Sequence, residues 1–172
     1  KLGWSPYMFF LSALFVLLYK YTGQDEIVIG SPVTGRSNNR LQDIIGMFVN
    51  NIAVDGKIDS SKKFTDFLNN IKQQVLSDLE YQDYPYNELV KKLDISTNSS
   101  SNPLFDVMFA YQNANSNKFT LDDKSVEIIK SNSGISKFNL SIEIEPDTRM
   151  INLEYCTDLF KEDTINRLFE HF

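Results

Sequence analysis

His171 and Cys156 are the only histidine and the only cysteine in this chain of 172 residues. Any nucleophile activated by an imidazole would have to use His171. That residue falls in a helical pattern next to the C-terminal end, where a surface position helped by the helix dipole is the ordinary case. Cys156 has no base near it in sequence and reads as a small strand residue rather than a nucleophile. One His and one Cys far apart do not make a zinc site, so no metal is expected. The seven glycines are scattered singly, with no phosphate-cradling run and no Gly-x-Ser-x-Gly elbow. The remaining candidates are polar residues at the ends of apolar runs. Asn50 and Asn51 interrupt one such run, and buried amides must find partners, so a structural bond and a substrate contact both fit. Tyr111-Gln112-Asn113 ends another run in the same way. Asp83, beside Tyr84-Pro85, reads as a turn residue capping the next helix in preference to a site carboxylate. Arg36, in a Gly-Arg loop, is either solvated or paired with a carboxylate outside the chain.

Composition narrows the setting of these residues. The hydrophobic fraction of 42% and charged fraction of 23% are ordinary for a globular protein. The aromatic share of 13% favours a packed core over disorder. A net charge of -6 argues against nucleic acid, because phosphate contacts need clustered Lys and Arg. A lone cysteine fits a reducing, cytoplasmic compartment. Residues Tyr7 to Leu18 are almost wholly apolar but fall short of the roughly 20 residues a membrane span needs, so a buried core helix is expected. The chain starts at a helix approach and stops inside a helical pattern, so both ends read as cut from something longer.

The elements that must position the candidates follow from spacing and punctuation. Ser5-Pro6 opens a helix that Gly23 closes. Glu26 to Pro32 reads as a buried strand, Thr34 to Arg40 as a loop, and Leu41 to Ile45 as a helical turn. Met47 to Val54 reads as a strand closed by Asp55-Gly56. Phe64 to Leu79 carries apolar residues at three-and-four spacing, with Lys and Asp on the opposite face. Asn87 to Leu93 forms a short helix, Ser96 to Asn102 a loop, and Asp106 to Gln112 a strand. A turn over Ala114 to Asn117 precedes strands at Val126 to Ile129, Leu140 to Ile144 and Met150 to Tyr155. Pro146-Asp147 turns between the last two, and Glu143 and Glu145 give their strand a wet face. Asp163 to Phe172 closes the chain as a helix. This order predicts one α/β lobe, a mixed β-sheet with flanking helices.

Three segments add a resemblance. Ile45-Gly46-Met47-Phe48-Val49-Asn50-Asn51, Tyr81-Gln82-Asp83-Tyr84-Pro85-Tyr86 and Asn102-Pro103-Leu104-Phe105-Asp106 resemble the later signature motifs of condensation domains from non-ribosomal peptide synthetases. Tyr21 to Asp25, Ile27 to Arg36, Lys137 to Leu140 and Tyr155 to Phe160 are similar to other parts of the same domains, in the same order. There are departures. Thr97 to Ser101 lack the basic residues common before the Asn-Pro-Leu segment, Asn139 stands where Asp is common, and the His-His-x-x-x-Asp-Gly motif is absent.

The resemblance implies that residues 1–172 are the C-terminal subdomain of a condensation domain, one lobe of the chloramphenicol acetyltransferase-like type, without the N-terminal lobe that carries the His motif. Two such lobes enclose a tunnel in which a carrier-bound aminoacyl amine attacks a carrier-bound acyl or peptidyl thioester. On this reading the chain contains no catalytic residue and is inactive alone. It binds no cofactor directly, since the phosphopantetheine arms belong to donor and acceptor carrier proteins. Ser31, Asn50, Asn51 and Gln112 are the tunnel-facing candidates, and Arg36 is the cross-lobe partner. The N-terminal lobe, the carrier proteins and an adjacent adenylation domain are the implied partners. A non-catalytic carrier-binding or structural lobe, and a fragment of an epimerisation domain, are the alternatives.

Overall fold

The computed structural model describes residues 3–94, 102–112, 120–121, 124–125 and 134–172. The first helix, α1 (Pro6–Thr22), has the ends its sequence requires. Ser5 Oγ accepts from the Met8 N–H, Pro6 opens the first turn, and Gly23 closes it at φ 73° while its N–H donates to the Tyr19 carbonyl. Strand β1 (Glu26–Val33) is followed by a 3-10 turn at Asn39–Leu41 and by β2 (Asn50–Lys57). Helices α2 (Phe64–Glu80) and α3 (Tyr86–Lys92) come next. Then come β3 (Val107–Tyr111), a small pair β4 (Thr120–Leu121) and β5 (Lys124–Ser125), the hairpin β6 (Leu140–Glu145) and β7 (Met150–Tyr155), and α4 (Glu162–His171). The turns expected at Ala114 to Asn117 and the strand at Val126 to Ile129 lie outside the described residues.

The main sheet has the order β2-β1-β3-β6-β7. Its three inner strands run parallel to one another, and each outer strand is antiparallel to its neighbour. The sheet is therefore mixed, as the sequence implied. Side chains alternate across it, so directly paired residues share a face. Ile29, Val54, Phe109, Ile142 and their neighbours point to one face and form a single core with α1, α2 and α4. Leu11, Leu14 and Phe15 of α1, Leu68, Ile71 and Val75 of α2, and Ile165 of α4 fill that core. Aromatic contacts between Tyr7 and Phe109 and between Phe15 and Phe67, with centroids 5.7 and 6.0 Å apart, add to it.

Two expectations are corrected by the register. Strand β2 begins three residues later than the sequence suggested and continues through Asp55 and Gly56, which pair with Val28 and Ile27 instead of turning. Gly56 is needed there, because a Cβ would sit 2.9 Å from the Phe15 ring. Strand β1 is buried only at Ile29, Gly30 and Ser31: Ile27 and Val33 are half-buried against the core, while Val28 and Pro32 alternate onto the other face and are exposed.

Candidate functional site

Among the described residues no helix lies across the second face of the sheet at the ends of the parallel strands. Pairing places Asn51 beside Pro32, Ala110 beside Glu143, and Glu143 beside Asn152. Gly30 is level with Met108, so one pleat further along Pro32 is level with Ala110. A row of five side chains thus crosses the sheet on this open face: Asn51, Pro32, Ala110, Glu143 and Asn152. Strand spacing puts Asn51 and Glu143 about 14 Å apart, a span suited to a small organic substrate. The row lies near the C-terminal ends of β1, β3 and β6, the edge where open α/β sheets place their ligands. The floor is low, with Ala110 in the row and Ser141 one pleat before Glu143. Further from that edge the face is covered by a chain of rings, Tyr86 to Phe105 at 5.5 Å and Phe105 to Phe138 at 5.6 Å. Phe105 belongs to the Asn-Pro-Leu-Phe-Asp segment and packs directly on Gly30, where a Cβ would come within 2.1 Å of its ring.

Gln112 extends the row on the same face. Its backbone N–H donates to the Ile144 carbonyl at 2.9 Å, and Nε2 donates to Glu143 Oε1 at 2.7 Å. Glu145 is engaged locally, accepting from Asn152 Nδ2 at 2.8 Å and Thr148 Oγ1 at 3.0 Å. Of the four polar residues singled out from sequence, Asn51 and Gln112 therefore share the open face. Ser31 and Asn50 point to the helical face. Ser31 is 2% exposed, and its Oγ donates to the Phe109 carbonyl at 2.9 Å.

Asn50 joins two of the signature segments. Its Nδ2 donates to the carbonyls of Gln82 and Tyr84 at 2.8 and 2.7 Å, and its Oδ1 accepts from the Tyr86 N–H at 3.1 Å. The start of β2 is thereby pinned to the link between α2 and α3. Asp83 in that link does not cap α3. Pro85 occupies the cap position without a side-chain bond, and the Asp83 carboxylate accepts from Ser37 Oγ at 3.0 and 3.2 Å instead.

The loop between β1 and β2 is braced from within and apolar without. Gly35 adopts φ 62°, with the Phe48 carbonyl so close that any Cβ would overlap it. The Arg36 guanidinium donates to the carbonyls of Leu41 and Gly46 and stacks 4.4 Å over the Phe48 ring. Arg36 is thus bound within its own loop. Outside this brace, Ile45 and Met47 are 101% and 89% exposed, and Ile44 and Val49 are exposed beside them. A run of large apolar side chains in water marks a surface that meets another surface.

Two groups, Asp78 and Tyr7, titrate in ways that carry no signal in the sequence. Asp78 falls on the face of α2 assigned to solvent, but the structure sets it half-buried near Asp55. Burial, and then the Asp55 charge, push its carboxyl up from 3.8 to about 6, against a lowering bond from Gln74. Gln74 Nε2 donates to both carboxylates, at 2.7 Å to Asp55 and 3.0 Å to Asp78. Burial likewise raises the Tyr7 phenol to about 12. Glu143 read only as part of a wet strand face, because its place beside Gln112 depends on the β3–β6 pairing. His171 is exposed, with Nδ1 2.8 Å from the Tyr21 hydroxyl, and forms no part of the row. Among the described residues no group of three or more His, Cys, Asp or Glu side chains is arranged to hold a metal. None of the described helices is long and apolar enough to cross a membrane.

Comparison with known proteins fits this geometry. Gramicidin S synthase 2 of Brevibacillus brevis is 42% identical over 172 residues, which is 99% of this chain but 4% of that protein. A four-domain nonribosomal peptide synthetase, AB3403, solved with AMP and glycine, superposes with a TM-score of 0.85 at 21% identity, covering 96% of this chain and 14% of that one. The X-domain from teicoplanin biosynthesis, solved in complex with OxyB, superposes with a TM-score of 0.78 at 20% identity, covering 96% of this chain and 38% of that one. The chain thus spans a small part of its relatives' length, and the two structural likenesses speak to fold alone. The family described as Condensation domain matches residues 2–172, and with the three signature segments now placed around one open sheet face, this chain belongs to the condensation domain family.

Proposed function

We propose that this lobe supplies one wall and one rim of a two-lobe chamber in which a carrier-bound aminoacyl amine attacks a carrier-bound acyl or peptidyl thioester. The C–N bond forms as the C–S bond breaks, the amine loses a proton, and the phosphopantetheine thiol leaves with one. The observation that carries this reading is the second face of the sheet, which among the described residues carries no helix at the C-terminal ends of the parallel strands and presents Asn51, Gln112 and Glu143. A free α-amine has a pKa near 8, so a useful fraction is neutral at physiological pH and alignment can supply much of the acceleration. Tethering both substrates raises their effective concentration as well. The neighbouring lobe supplies the histidine motif and covers Ile44, Ile45, Met47 and Val49. Arg36 serves that contact through the loop it braces, and Asn51 and Gln112 face the tethered groups.

The test compares this chain alone with the complete two-lobe domain, each given two carrier proteins loaded with a thioester donor and an aminoacyl acceptor. Mass spectrometry of the carriers should show an amide with the two-lobe domain and none with the lobe alone. Amide formed by the lobe alone, or none formed by a two-lobe domain with an intact histidine motif, would overturn the proposal. A second reading, a lobe that only binds a partner, draws on the X-domain solved in complex with OxyB. It predicts binding of carrier protein without amide formation by the two-lobe domain. An epimerising lobe would instead exchange the α-proton of a tethered residue with solvent deuterium.

A further inference from the structure

The carboxylate of Glu143 has a role that the peptide-forming reading does not assign. It stands on the open face between Ala110 and Asn152, half-buried, with Oε1 taken by Gln112 Nε2 at 2.7 Å. The ion pairs among the described residues are Lys57–Glu26, Lys62–Asp59 and Lys91–Glu88, and none of them involves Glu143. Among the described residues this half-buried carboxylate has no ion-pair partner, and an arriving donor would compensate it further. The neighbours leave room for one, since Ala110 and Ser141 flank it with small side chains. Gln112 holds the carboxylate by one oxygen, Oε1, and a carboxylate can accept further charge-assisted hydrogen bonds through the other. Asn152, its neighbour across the strands, donates to Glu145 Oε1 at 2.8 Å.

We propose that Glu143 is a specificity-determining residue that selects tethered aminoacyl or peptidyl groups whose side chain carries a cationic amine. The selected group is the side chain and not the attacking α-amine. A carboxylate beside the attacking amine would favour its protonated form and remove the nucleophile. This inference rests on the reading that the lobe lines an amide-forming chamber, and the experiment separates the two.

The complete two-lobe domain is assayed with carrier-bound acceptors and donors in pairs that differ only in the side chain, ornithinyl against norvalyl. The wild-type domain should prefer the ornithinyl group at whichever carrier position the trough serves. Glu143→Gln keeps the size and the Gln112 contact but removes the charge, so that preference in kcat/KM should fall about tenfold, the scale of one charge-assisted hydrogen bond. The norvalyl group is the internal reference, because a general loss of fold or chemistry lowers both turnovers and cancels in their ratio. Glu143→Lys should reverse the preference toward an acidic side chain. Equal turnover of the two side chains by the wild type, or an unchanged ratio in Glu143→Gln, overturns this inference and leaves the chamber reading standing. A wild-type domain that joins neither pair overturns both.

Discussion

Asp78 shows how one side chain couples this fold to pH. Its folded carboxyl titrates near 6 rather than 3.8, so the folded state holds a proton that the unfolded chain has released across that interval. Stability from this group is therefore greatest below about pH 4, declines as pH rises toward 6, and is least at neutral pH. Replacing Asp78 with Asn keeps an acceptor for Gln74 and removes the charge that opposes Asp55. A shift of this size corresponds to about 3 kcal/mol, and because the group is partly open to solvent the effect should be nearer 1 kcal/mol. Asp78→Asn should raise the thermal midpoint at pH 7.5 and leave it unchanged at pH 4, as calorimetry at the two values will show. An equal gain at both values would mean that Asp78 acts through packing. Nothing in the repeating pattern of α2 betrays this residue, since an Asp beside Lys and Gln positions looks like any solvated one.

At the scale of elements, Asn50 ties β2 to the α2–α3 link by three hydrogen bonds to backbone. Removing its amide strands the Tyr86 N–H and two carbonyls, each of which costs more unpaired than its bond contributes. Asn50→Ala should lower stability by about 2 kcal/mol in a denaturant titration. Asn50→Asp should do no better, because a carboxylate would then face the carbonyls of Gln82 and Tyr84. If Asn50→Ala melts like the wild type, the link is held by other contacts. The sequence made this residue conspicuous as an amide in an apolar run, and both a structural and a substrate-facing use fitted it. The pairing of Val33 with Asn50 places it toward the helices, and its three partners then account for its polar atoms.

At the scale of the whole molecule, the apolar rim formed by Ile44, Ile45, Met47 and Val49 is exposed, and Gly35, Arg36 and Phe48 brace the loop that carries it. Changing Ile45 and Met47 together to Lys should move the thermal midpoint of this lobe by less than about 0.5 kcal/mol equivalent, as for other exposed positions. If a second lobe covers this rim as proposed, the same change should weaken that lobe's binding, supplied as a separate chain, at least tenfold by calorimetry, and undiminished binding would overturn that placement. Much of the architecture was legible from residue order alone. Ser5, Pro6 and Gly23 set the limits of α1, the three-and-four spacing set α2, and Pro146-Asp147 set the last hairpin, because caps, periodicity and turns are local properties of the chain. The signature segments likewise identified the family before any coordinates. Which face each strand residue occupies was not legible, since alternation repeats every two residues and its phase is set by pairing between strands distant in sequence. Only that pairing separated Asn51 from Asn50, sent Ser31 beneath the sheet, carried β2 through Gly56, and brought Gln112 beside Glu143.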